Sequence, residues 1–188
     1  MKTLGYYHIP EHSTHHFEVC FGNQVLLPAQ WAHCDITANT VAAYFASFFP
    51  AESGDGMVGR DELTFSVNYI ANELLENAIK FGCGGTLEFR AMMTRSDLLL
   101  WAVNSATLSA YHHLETVISE ILKGDSQQLL LERIEYNALN PENDISGLGY
   151  LTMMSDYGVR FGWAFCEQAE AIVAIETQAW LPVQRKDG

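Results

Sequence analysis

In the middle of the chain, Leu63, Val67, Ile70, Leu74, Ala78 and Phe81 recur at three- and four-residue steps. That spacing lines one face of an α-helix and predicts a helix over about residues 61–81. Gly82-Cys83-Gly84-Gly85 ends it, as glycine commonly does. Two strand candidates follow, Thr86–Met93 and Leu98–Val103, with Arg95-Ser96-Asp97 as the turn. Residues 109–123 and 126–138 return to a helical pattern, separated by Lys123-Gly124-Asp125-Ser126. A polar loop over 140–149 leads to a short helix at about Leu148–Tyr157. Two closing strands come last, Val159–Glu167 and Ala171–Leu181. Upstream, Phe17-Glu18-Val19-Cys20-Phe21 and Gln24-Val25-Leu26-Leu27 flank Gly22-Asn23. Residues 1–30 therefore read as an N-terminal edge hairpin that Pro28 ends. Asp35 or Thr37 caps a helix running to about Phe49 and stopped by Pro50. Residues 51–60 hold three glycines and read as a loop.

The helices cluster early and in the middle, and the strands pair as neighbours. This order predicts one domain over 1–188 with an α+β fold. Its form is a two-layer α/β sandwich, a mixed sheet with helices on one face. Hydrophobic residues make up 48% of the chain and charged residues 18%, enough apolar content for a packed core. No run approaches a membrane span, and Met1–His8 lacks the apolar stretch of a secretory signal, so a cytoplasmic protein is expected. The formal net charge of −13 opposes long-range attraction to nucleic acid or anionic lipid. A nucleotide then has to be held by local devices: backbone N–H groups, a metal ion or one lysine. Cys20, Cys34, Cys83 and Cys166 form no C-x-x-C pair and read as reduced, mostly buried thiols rather than a zinc site. His12, His15, His16, His112 and His113 read as surface histidines, because no carboxylate or cysteine joins them at ligand spacing. Tyr44, Phe45, Phe48 and Phe49 stand at helical spacing and read as core, or as a partner surface where exposed.

The chemistry is concentrated in Asn72-Glu73-Leu74-Leu75-Glu76-Asn77-Ala78-Ile79-Lys80-Phe81. Measured from Leu74 at the centre of the apolar stripe, Glu73 falls near −100° and Asn77 near −60°, at about 100° per residue. The two are neighbours at the edge of the stripe, where a helix meets both core and cleft. Asn72 and Glu76 fall on the side expected to face solvent. An amide oxygen can ligate Mg²⁺, and a carboxylate beside it can orient or deprotonate an attacking hydroxyl.

The run from Glu73 to Phe81 resembles the N box of GHKL (Bergerat-fold) ATPases and kinases. The resemblance implies Asn77 as the magnesium ligand, Glu73 as the catalytic base and Lys80 as a phosphate contact. Asp144-Ile145-Ser146-Gly147-Leu148-Gly149-Tyr150 resembles the family's second glycine box, placing Gly147 and Gly149 at the phosphates. Ile172–Pro182 resembles the closing strand, with Thr177 near adenine. Where the family's first glycine box reads Asp-x-Gly-x-Gly, this chain has Val103-Asn104-Ser105-Ala106-Thr107. Asn104 stands in for the aspartate, and its carbonyl can still accept from the adenine amino group. The resemblance spans about residues 60–182. Gly147–Phe165, with Asp156-Tyr157-Gly158 and Gly162-Trp163, is similar to SiaB-type kinases and anti-sigma-factor-like small kinases. It implies ATP and Mg²⁺ as cofactors and a small regulatory protein as phosphoacceptor. A homodimer is common in related kinases, although no heptad seam is visible. The rival readings are a GHKL-like scaffold that has lost catalysis and sequesters a partner, and a simple ATPase.

Overall fold

The structure is a computed structural model and describes residues 1–22, 27–54, 57–140, 142, 147–169 and 171–184. In chain order the elements are β1 (Lys2–Gly5), β2 (His15–Phe21), α1 (Leu27–Ala46), α2 (Arg60–Lys80), β3 (Leu87–Met93) and β4 (Asp97–Thr107). There follow α3 (Leu108–Ile121), α4 (Ser126–Leu139), α5 (Leu148–Tyr157), β5 (Arg160–Ala169) and β6 (Ile172–Pro182). The described strands form one six-stranded sheet in the order β1-β5-β6-β4-β3-β2. Every pairing is antiparallel, so the expected mixed sheet is corrected to an antiparallel one. The reason lies in the connections. β3–β4 and β5–β6 are neighbours in chain and space, and the three helices after β4 return the chain so that β6 runs against β4.

Alternation along the strands sorts the two faces. Phe89, Ala91, Leu98, Leu100, Trp163, Ile175 and Ala179 point into the main core beneath the helices. Met92, Leu99, Trp101 and Trp180 point the other way and form a second, smaller apolar cluster. Helix α1 lies against α2 and buries Cys34, Ala38, Val41, Ala42 and Phe45. Phe45 and Phe49 are core as expected, but Tyr44 and Phe48 are exposed and pack on each other edge to face. Cys34 alone is buried among the thiols. Cys20, Cys83 and Cys166 are exposed, against the expectation of mostly buried cysteines.

Most of the second strand expected for the N-terminal hairpin lies outside the described residues, and the described part of the segment pairs elsewhere. Residues 17–21 pair with β3, residues 23–26 lie outside the described residues, and Leu27 already belongs to α1. Pro28 therefore sits in the first helical turn, where its missing N–H has no intrahelical partner to lose. β1 and β2 occupy opposite edges of the sheet. The chain between them straps across the outer face. The Tyr6 amide donates to the Phe161 carbonyl at 2.6 Å, the Tyr7 hydroxyl to Glu176 at 2.7 Å, and the His8 amide to Gln178 Oε1 at 3.2 Å. The His8 ring stacks on Trp180 at 3.9 Å, and Tyr7 meets Trp101 edge to face. This strap is what covers the second cluster.

Gly162 of β5 lies directly under the crossing. A Cβ there would stand 2.4 Å from the Tyr6 carbonyl oxygen and 2.5 Å from Tyr7 Cα, both backbone atoms. Gly162→Ala is expected to cost about 2 kcal/mol or more, the scale of an overpacked core. For a chain of this size that lowers the thermal midpoint by about 5 °C or more. An unchanged midpoint in a calorimetric scan would contradict this crossing.

Candidate functional site

Helix α2 buries Leu63, Val67, Ile70, Ala71, Leu74, Leu75 and Ala78. Seated that way, it turns Glu73, Glu76, Asn77 and Lys80 toward a cavity of about 210 Å³. Helix α3 supplies the facing wall with His113, Leu114 and Val117, and the start of α5 supplies Gly147, Leu148, Gly149 and Tyr150. Five of the seven residues singled out from sequence, Glu73, Asn77, Lys80, Gly147 and Gly149, thus line one cavity. The other two, Asn104 and Thr177, line a smaller adjoining cavity of about 20 Å³ together with Asn77. Asn77, Phe81, Leu114 and Tyr150 line both and form the partition.

Glu76 was expected on the solvent side but lines the cavity. The cleft is centred near the direction of Glu73, only about 60° from Glu76 around the helix axis, and a glutamate side chain spans that arc. It accepts from Asn72 Nδ2 at 2.5 Å. The Glu73 carboxyl holds its proton more tightly than an ordinary glutamate. Burial is the main cause, repulsion from Glu76 adds to it, and Lys80 opposes it. Its carboxylate lies against the glycine turn, since a Cβ on Gly149 would come 2.2 Å from Glu73 Oε2. Lys80 extends beside its neighbour Phe81, 5.3 Å from the ring centroid.

Helix α5 begins at Gly147, which has φ 96° and caps the helix without a side-chain hydrogen bond. The N–H groups of its first turn have no intrahelical acceptor and suit an anion at the cavity. At the small cavity, Asn104 Nδ2 donates to the Ala78 carbonyl at 3.2 Å. The other branch of that amide, the oxygen, is an acceptor. The stretch Asn104–Thr107 is the end of β4 itself, and Thr107 caps α3 by accepting from the Ala110 amide. Residues without glycine continue the strand here. A space of about 20 Å³ holds roughly one water, so a purine enters there only if the partition moves.

Sequence reasoning missed Tyr150 and set His113 aside. Tyr150 is buried, its hydroxyl pushed up to about 12 mainly by burial, with Trp163 and Thr177 opposing the shift. Its position directly after Gly147-Leu148-Gly149 was the available signal. His113 is exposed, as expected of a surface histidine, yet it stands at the cavity wall. Among the described residues no cluster of three or more His, Cys, Asp or Glu could hold a metal ion. The hard oxygen donors at the cavity are the Asn77 amide and the Glu73 and Glu76 carboxylates. No described helix is long and apolar enough to cross a membrane.

No protein-family model matches the chain, and no curated protein matches it. Among solved structures, it is similar to a chain in the crystal structure of the SiaB–SiaC complex from Pseudomonas aeruginosa. The TM-score is 0.62 at 12% identity, over 87% of this chain and 89% of that one. The likeness is one of fold: an antiparallel sheet flanked by helices, consistent with a GHKL-like sandwich.

The raised Glu73 pKa carries a sign. A carboxyl that binds its proton more tightly folded than unfolded makes the ionised form a cost to stability above its folded pKa. That cost vanishes below the unfolded range of about 4.3. Glu73→Gln is therefore expected to be more stable than the parent at pH 8, with the advantage shrinking as pH falls toward about 4. Urea unfolding at the two pH values checks this, and a glutamine variant less stable at pH 8 contradicts it.

Proposed function

We propose that the chain is a Mg-ATP-dependent serine/threonine protein kinase of a bacterial partner-switching system, acting on a small regulatory protein. The supporting observation is the convergence of Glu73, Asn77, Lys80, Gly147 and Gly149 on one cavity from two separate segments of the chain. Mg-ATP, when bound, supplies the γ-phosphoryl group and a cation that neutralises charge during transfer. Asn77 offers a hard amide oxygen to the metal, and Lys80 offers a point charge to phosphate oxygens. Gly147 and Gly149 let backbone N–H groups approach an anion without a side chain in the way. Glu73 takes the proton of the acceptor hydroxyl, a role helped by its tightened hold on a proton. The partner half of the reading is supported by the fold neighbour, which is part of a two-protein complex. A specific observation favours a second reading, the non-catalytic scaffold: the cavity beside Asn104 and Thr177 is water-sized.

Titration calorimetry of Mg-ATP separates the two. The kinase reading expects micromolar binding that Asn77→Ala weakens about tenfold or more, the worth of one charge-assisted contact. Binding unaffected by Asn77→Ala would sink the metal role. No heat with the parent protein would favour the scaffold.

Glu73→Ala is expected to keep nucleotide binding while slowing γ-phosphate transfer to a partner protein by about 100-fold or more. Transfer at the parental rate would remove Glu73 as base.

A further inference from the structure

Helix α4 faces solvent along most of its length, with Leu131, Ile134, Tyr136 and Leu139 exposed. Its buried residue is a cation, Arg133, at 6% exposure. The guanidinium reaches inward to the turn that opens α5. A Cβ on Gly147 would lie 2.4 Å from Arg133 Nη1 and 2.8 Å from Val117 Cγ1. On its other branch, Nη2 donates to Glu120 of α3 at 3.1 Å. The Gly147 carbonyl in turn accepts from the Leu151 amide at 3.2 Å, the first hydrogen bond of α5. One planar fork therefore spans α3, α4 and the left-handed turn. An apolar side chain of similar volume would fill this space without desolvating a charge, so filling alone does not account for an arginine.

We propose that Arg133 is a positioning residue: it holds Gly147 in its left-handed conformation and so sets the direction of the α5 first-turn N–H groups at the cavity. That those groups hold phosphate rests on the kinase reading above; the positioning of the turn does not.

The test is hydrogen–deuterium exchange on the nucleotide-free protein, paired with Mg-ATP titration. In Arg133→Met the Leu151 amide and its α5 neighbours are expected to exchange about tenfold faster, while α2 and β4 keep their protection. Unchanged exchange at Leu151 overturns the positioning role. If Arg133→Met loses protection throughout, Arg133→Lys carries the test, since it keeps the charge without the fork. Faster exchange confined to α5 supports the proposal, and unchanged exchange overturns it. Mg-ATP affinity is expected to fall about tenfold in the methionine variant. Parental affinity despite faster exchange overturns the link from turn to ligand. Should the parent protein bind no Mg-ATP while Leu151 still exchanges faster in the variant, the positioning role stands and the nucleotide reading falls.

Discussion

Burial of seven residues along one face of α2 fixes the rotation of that helix about its own axis. A roll of one residue, about 100°, would bring Leu74 and Ile70 toward solvent and drive Glu73 toward the core. Each large apolar side chain exposed costs about 1.5–3 kcal/mol, and a carboxylate pushed deeper adds its own desolvation. The seating is therefore unique, and the polar arc from Asn77 to Glu76 has one place to go. The cleft is built by what the helix cannot do as much as by what its polar residues prefer.

The same arithmetic decides what was readable in advance. The period of α2 identified both its buried face and the edge that carries Glu73, Asn77 and Lys80. The glycines before α5 marked a place where backbone comes close to something, and Gly149 does meet the Glu73 carboxylate. Glu76 was misplaced because angle was measured from the core, whereas a site is centred on its own opening. Arg133 was invisible, since an arginine among glutamates on a polar helix has the pattern of a solvated face. The partners of the N-terminal strands were hidden for another reason. Alternation in Phe17–Phe21 announces a strand but says nothing of its partner, and a glycine–asparagine pair suggested a local one. The true partners are β3 for this strand and β5 for β1, and only the three-dimensional path of the strap relates them.

Charge tells a consistent story at the cleft. A chain with a net charge of −13 places two carboxylates, Glu73 and Glu76, beside one exposed lysine, and keeps a guanidinium against the glycine turn. Carboxylates this close to each other raise the cost of ionisation, and a cation among them lowers it again. At Glu73 burial dominates, Glu76 adds to it and Lys80 of the same helix opposes it, so acid–base character depends on how the helix is seated.

The strap also bears on the order in which the fold is completed. Residues 2–5 pair with residues 162–165, so β1 finds its partner only after every other strand but β6 has been made. Closing so long a loop is slow compared with the neighbouring hairpins β3–β4 and β5–β6. Until it closes, the indoles of Trp101 and Trp180 lack the Tyr7 and His8 rings that cover them. The strap is thus made long before it can dock, and in that interval a nascent chain is open to aggregation and in need of a chaperone.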